Sequence, residues 1–191
     1  MKTASDSFAS LLGRAGDSLK SIVKLALKSR KSTVSKVASS DDSIIIMGNG
    51  PSLNDAIENS FDKLTTIPTL AVNFAANALQ FTQLRPRYYV LADPHFFVAT
   101  DDVNVKKLMN NISSIDWTMT LFVPFEAKKR GFAIDNENVK VEYFNFLAVE
   151  GFEWLENWAY ASGRGMPRPR NVLIPSIMIA MKLGYGNIYV T

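Results

Sequence analysis

The chain has 191 residues, no cysteine, one histidine and a formal net charge of +3. That length makes one α/β domain the default and is enough for a real core, while the missing thiols exclude disulfide staples, Cys-His nucleophiles and thiolate zinc sites and fit a reducing cytoplasm. The charge is uneven: residues 1–40 hold 8 Lys/Arg against 2 Asp/Glu, leaving 13 against 16 in a mildly acidic body.

Phe8, Leu11, Leu12, Leu19, Ile22, Val23, Ala26 and Leu27 recur at helical spacing, with Arg14, Lys20, Lys24, Lys28, Arg30 and Lys31 on the polar side or at its end. The segment is a basic amphipathic helix, and two readings of it are open. Residues 8–31 could lie in an anionic membrane interface, which would make the protein peripheral to the inner face of a membrane; or the helix packs on the domain or on a second subunit, giving a homo-oligomer. The segment is not a signal peptide, because charges interrupt Phe8 to Leu27, and no apolar run approaches the ~20 residues that span a bilayer. Ser32 to Asp42 is polar and Ser-rich and reads as a linker. Residues 1–40 thus form a helix-and-linker segment ahead of a domain at 41–191.

Ile44-Ile45-Ile46-Met47 reads as a short buried strand, and Gly48-Asn49-Gly50-Pro51-Ser52 as a tight turn into a helix. Ser52 is placed as N-cap with Asp55 three residues on, and Gly48 and Gly50 allow positive φ and close approach of a ligand to the main chain. Such a nest of amides favours an anion. The third glycine of the dinucleotide fingerprint is Leu53 and no Gly-Lys-Ser/Thr follows, so neither a dinucleotide site nor a P-loop is supported. A plain strand-to-helix turn is the alternative.

Thr69 to Val72 is a second buried strand ending at Asn73, with a helical run from Phe74 to Phe81. Tyr88 to Ala92 is a third, ending at Asp93-Pro94-His95. Ligands of open parallel sheets bind beyond the carboxyl ends of the strands, so Asn73, Asp93 and the Gly48 to Ser52 turn are expected to share one crevice. Taken singly, Asn73 also reads as a helix cap, Asp93 as a turn residue and His95 as a structural histidine beside it.

Asp101 and Asp102 cap a helix to about Met109, and Met119 to Val123 is a fourth strand stopped by Pro124. A short helix ending at Gly131 precedes Val139 to Phe144, whose alternation suits a strand near an edge. Phe152 to Trp158 is an aromatic-rich helix, of core or subunit-contact type. Ser162 to Arg170 is a basic loop whose arginine forks suit phosphate or plain solvent. Leu173 to Leu183 is an apolar helix with Gly184 as C-cap, and Asn187 to Thr191 is a last, buried-looking strand. The fold class is α/β: a Rossmann-like open, mainly parallel sheet flanked by helices, preceded by the amphipathic helix. No G-x-S-x-G elbow occurs, and no nucleic-acid fold signature or aromatic interleaving of the basic segment, so nucleic acid is not an expected partner.

Met47-Gly48-Asn49-Gly50-Pro51-Ser52-Leu53, the strand ending at Asn73, Tyr89-Val90-Leu91-Ala92-Asp93-Pro94-His95-Phe96-Phe97 and Ile177 to Tyr189 together resemble the bacterial sialyltransferases of glycosyltransferase family 42 and a related group of hydroxymethylpterin pyrophosphokinase-like proteins. The first resemblance implies a glycosyltransferase of surface-polysaccharide or glycoconjugate synthesis, acting on a nucleotide sugar, CMP-linked, and a glycan acceptor. It places Asn49, Gly50, Ser52 and Asn73 at the nucleotide and sets Asp93 near the donor; beside it, the residues themselves add Gly48, Pro51 and Asn171 to the candidate binding set and make Asp93 and His95, the latter as a general base at a strand end, the candidate catalytic pair. No cofactor is then required, because the departing CMP carries its own charge. The second resemblance implies Mg²⁺ and ATP, with Asp93 helping to hold the metal; a non-catalytic scaffold docking through the basic helix is a third reading. Asp93 stands where the sialyltransferases have asparagine, and Asn171-Val172-Leu173 where they have Thr-Ser-Gly. Their histidine base and phosphate-gripping tyrosines lie beyond the last strand, so a C-terminally truncated chain is expected.

Overall fold

A computed structural model of the chain describes residues 4–48, 50–99 and 101–191, with the side chains of residues 4–7, 51 and 52 outside the description. Strands β1 (Ser43–Met47), β2 (Thr69–Val72), β3 (Tyr88–Val90), β4 (Met119–Pro124), β5 (Val139–Phe144) and β6 (Asn187–Val190) form one sheet in the order β5-β4-β3-β2-β1-β6. Every pairing is parallel. Strands β1 to β4 are covered on both faces, which is why their sequences are nearly unbroken apolar runs. Successive side chains alternate between faces. Ile45, Met47, Ala71, Tyr89 and Leu121 enter one core. Ile44, Ile46, Leu70, Val72, Val90 and Phe122 enter the other.

From β1 to β5 the chain steps always to the same side, so right-handed crossovers put α2 (Pro51–Thr66), α3 (Phe81–Leu84), α5 (Val103–Ser113) and α6 (Phe125–Lys129) on the first face. The return from β5 to β6 runs the other way and puts α8 (Leu173–Leu183) on the second. Strand order therefore reverses between β1 and β6, and the carboxyl ends of these two strands are the switch point at which α/β sheets open a crevice. Strand β5 is an edge, as its alternation predicts. Strand β6 is the other edge rather than a buried strand: among the described residues no further strand pairs with it, and Tyr189 and Val190 are 55 % and 48 % exposed.

Three local expectations shift. The run from Phe74 to Phe81 is broken into a 3-10 turn at Ala75–Asn77 and the single turn α3, while α5 continues past Met109 to Ser113. A one-turn helix α4 (His95–Val98) follows β3. The polar stretch from Ser32 to Asp42 is no loose linker but a strap across the second face. Val34 is buried in that core, the Thr33 N–H donates to the Tyr143 carbonyl at 3.2 Å, and the Val37 and Ala38 N–H groups donate to the Leu183 carbonyl.

Helix α1 (Ala4–Lys28) reaches the body through its small residues. The Ser18 hydroxyl accepts the Phe152 N–H at 2.8 Å, and the Ser21 hydroxyl both donates to the Glu150 carbonyl at 2.8 Å and accepts the Glu150 N–H at 3.0 Å. Gly151, at φ +140, is where α1 crosses: a Cβ there would overlap Ser18. Leu25 packs with Val149, Leu155 and Ala159, the last two from α7 (Glu153–Ser162). Asn145 then anchors the exit of the helix. Buried at 5 % exposure, it accepts from the Arg30 N–H and donates to the carbonyls of Arg30 and Gly163, all within 2.9 Å.

Candidate functional site

The three strand ends singled out from sequence lie on one rim. Strands β1, β2 and β3 are neighbours, and Met47 pairs with Ala71 and Val72 with Val90, so the residues that follow each strand emerge side by side at the carboxyl edge. Their conformations differ from expectation. Gly48 and Gly50 do not take positive φ; Gly50 is extended at φ −88. Gly48 matters for space and pairing. Its N–H donates to the Thr191 carbonyl at 3.3 Å and a Cβ would sit 2.7 Å from that oxygen, so this amide closes the β1–β6 ladder and is not available to an anion.

Helix α2 begins two residues earlier than the Ser52 cap predicts. Gly50 is the N-cap and Pro51 occupies the first turn, where its missing N–H costs nothing. The Leu53 N–H turns back to the Gly50 carbonyl at 3.1 Å. The positive end of α2, whose first stretch runs to a kink at Ser60, directly follows the β1 corner. Asn49 lies outside the described residues, and of Pro51 and Ser52 only the backbone is described. On the opposite face, the Asn171 side chain accepts from the N–H groups of Leu173 and Ile174 at 3.1 and 3.4 Å and so starts α8. Leu173 lies 3.9 Å from where a Gly48 Cβ would be, which brings this second helix start to the same corner.

The left-handed residue of the rim is Asn73, at φ +51. Asparagine tolerates this region better than other side-chain-bearing residues, and its neighbours hold it there. The Asn73 N–H donates to the Val90 carbonyl at 3.3 Å. The Tyr89 phenol donates to the Asn73 carbonyl at 2.6 Å while accepting the Ala76 N–H at 2.9 Å. Burial holds that phenol well above its ordinary pKa, so it stays a donor. Phe74 then packs edge-on against Phe96 of α4, with ring centroids 5.1 Å apart, tying the β2 corner to the β3 corner.

At the β3 corner the Asp93 carboxylate accepts the backbone N–H of His95 at 2.8 Å, and its carbonyl accepts from Phe96. Asp93 thus makes the turn that starts α4, and both it and His95 are exposed. The imidazole is not paired with Asp93. Its Nε2 lies 3.3 Å from the Asp102 carboxylate. Asp102 also caps α5 by accepting from the Asn104 and Val105 N–H groups, and these bonds together with His95 hold its carboxyl below the usual range. Sequence reading found Asp102 only as a cap, because the histidine partner arrives from across a loop. Tyr89 read simply as core. Neither role leaves a local pattern.

A cavity of about 210 Å³ opens under α2, walled by Met47, Leu53, Ile57, Ala71, Phe74 and Phe81 with Asn54 and Gln80 as its polar members. Neither Asn73 nor Asp93 lines it, and it is smaller than the ~300 Å³ at which small-molecule pockets begin. The rim itself is open surface, with Asn73 partly exposed. The basic loop is elsewhere engaged: Arg168 makes a two-pronged bond to Glu150, which lowers the Glu150 pKa, and Arg164 stacks on Trp158. Among the described residues no cluster of three or more metal-binding side chains occurs.

The chain is therefore an α/β protein with a six-stranded parallel sheet and a polar rim that runs from the β1 side of its switch point along the carboxyl ends of β2 and β3. No family model and no curated protein matches its sequence. Among solved structures, it is similar in fold to the MAf glycosyltransferase from Magnetospirillum magneticum AMB-1, with a TM-score of 0.52 at 13 % identity over 93 % of this chain. The match spans 27 % of that protein's length.

Proposed function

We propose that the chain is the nucleotide-binding part of a glycosyltransferase that uses a nucleotide-activated sugar, CMP-linked, for a glycan acceptor in surface-polysaccharide or glycoconjugate synthesis. The observation that carries the reading is the contiguous rim: the Gly48–Gly50 corner, the left-handed Asn73 and the Asp93–His95 turn follow three adjacent parallel strands. The fold similarity to a glycosyltransferase agrees with it.

On this reading the positive end of α2 faces the donor phosphate, Asn73 the base or ribose, and Asp93 a sugar or acceptor hydroxyl. Asn171 sets the start of α8 against the same corner. With Nε2 donating to Asp102, His95 keeps its Nδ1 lone pair, the arrangement of a general base oriented by a carboxylate. The acceptor oxygen would bond to the anomeric carbon as the bond to phosphate breaks, the electron pair leaving with CMP and the acceptor proton going to His95. A leaving nucleotide monophosphate takes up its own charge, so the step calls for no metal.

Isothermal titration with CMP, CDP and UDP tests the reading. Heat with CMP that falls at least roughly tenfold in affinity on Asn73→Ala, as loss of one or two hydrogen bonds to a charged ligand requires, supports it. Absence of heat with all three nucleotides removes it.

A further inference from the structure

Helix α1 turns its apolar side away from the protein. Ser18, Ser21 and Leu25 are its buried residues, whereas Phe8, Leu11, Leu12, Leu19, Ile22 and Val23 are 44–66 % exposed. At 3.6 residues per turn these two sets lie about a third of a turn apart, so the serine-lined side docks and the apolar stripe faces solvent. Lys24 and Lys20, the latter 3.5 Å from Asp17, follow the stripe on its far flank, both exposed. On its near flank lies a groove of about 490 Å³ between α1 and α7, lined by Ile22, Ala26, Leu155, Trp154 and Trp158. The two tryptophans are 63 % and 51 % exposed, and the Arg164 guanidinium lies 5.9 Å from the Trp158 ring.

We propose that the α1 stripe and the α7 tryptophans form one surface that seats the chain on an anionic lipid bilayer. The order of chemistries fits that occupant. An apolar band enters the acyl boundary, tryptophans sit at headgroup depth, and lysines with long apolar stems reach back to acidic headgroups. Charge complementarity weighs against an antiparallel second copy. A second copy paired antiparallel about a two-fold axis would set the Lys20 and Lys24 flank against itself, whereas an anionic surface attracts it. The surface is independent of the rim, so it stands or falls apart from the transferase reading.

The test is co-sedimentation of the 191-residue chain with vesicles of phosphatidylcholine alone or with added phosphatidylglycerol. Binding to the anionic vesicles is expected to be tighter by roughly tenfold or more and to weaken with salt. Leu12→Gln/Leu19→Gln/Val23→Gln, all at exposed sites, abolishes it, and Lys20→Gln/Lys24→Gln narrows the preference for anionic lipid while leaving the stripe intact. Tryptophan emission shifts to the blue on binding, and Trp154→Phe/Trp158→Phe removes the shift. Equal behaviour of wild type and both polar variants overturns the proposal, as does failure to sediment with either vesicle. A lipid-free dimer that the triple glutamine variant converts to monomer overturns it too, assigning the face to a second copy.

Discussion

Removing one oxygen from Tyr89 tests whether the left-handed corner at Asn73 is held as described. Tyr89 is fully buried and its ring packs edge-on with Phe81 at 5.9 Å, so Tyr89→Phe keeps the packing and deletes only the hydroxyl. Two bonds go: the one donated to the Asn73 carbonyl and the one accepted from the Ala76 N–H. The carbonyl belongs to a partly exposed residue and can find water, whereas Ala76 is 3 % exposed and its amide is stranded. A net ~1 kcal/mol for the first and about 1–3 kcal/mol for the stranded donor give a loss of roughly 2–4 kcal/mol. At about 2–4 °C per kcal/mol for a chain of this size, the midpoint of thermal unfolding falls by roughly 4–16 °C. Urea denaturation read by far-UV circular dichroism supplies the free energy, and hydrogen exchange at the Ala76 amide supplies the location. A loss below about 0.5 kcal/mol, within the ordinary scatter of neutral substitutions, refutes the proposed clamp.

Raising the pH probes the same phenol from another direction: because its folded-state pKa lies above the unfolded value near 10, the folded chain keeps a proton that the unfolded chain loses, and stability falls as pH climbs past about 10. Tyr160, pushed up to about 12 by burial and by Glu156 and Glu150, acts in the same sense, so urea midpoints decline from pH ~9 to ~11 and decline less in Tyr89→Phe. Asn145→Ala leaves the Arg30 N–H and the Arg30 and Gly163 carbonyls without their partner, and a loss of roughly 2–4 kcal/mol with early proteolysis near residue 30 is expected. Gly48→Ala sets a methyl 2.7 Å from the Thr191 carbonyl; the chain must shift there, and a destabilisation of about 1–3 kcal/mol by denaturation is the expected readout.

The sheet was legible because its inner strands carry two-sided burial in their composition. Ile44 to Met47 and Leu70 to Val72 could be little else, and each is followed by a residue that ends a strand. The rim was legible too, since parallel connectivity puts strand ends together whatever the side chains do. The expectations that failed depend on contacts between distant segments. A left-handed turn was assigned to glycine by propensity, yet Asn73 has it because Tyr89 and Val90 fix the peptide on either side. His95 was read with Asp93 because they are neighbours in sequence, but Asp93 spends its carboxylate on the backbone and the ring reaches Asp102. Periodicity showed that α1 has an apolar side; it could not show that buried serines would dock it, leaving that side outward.

The strand order has a kinetic consequence. Residues 43–46 take their outer partner from residues 187–190, some of the most distant contacts the chain makes. Emerging from a ribosome, the Ile44–Ile46 backbone edge stays open until residues 188–190, more than 140 positions on, have been made. High contact order at this seam should make its closure a late folding event. The half-built sheet is then the species on which chaperones and self-association would compete.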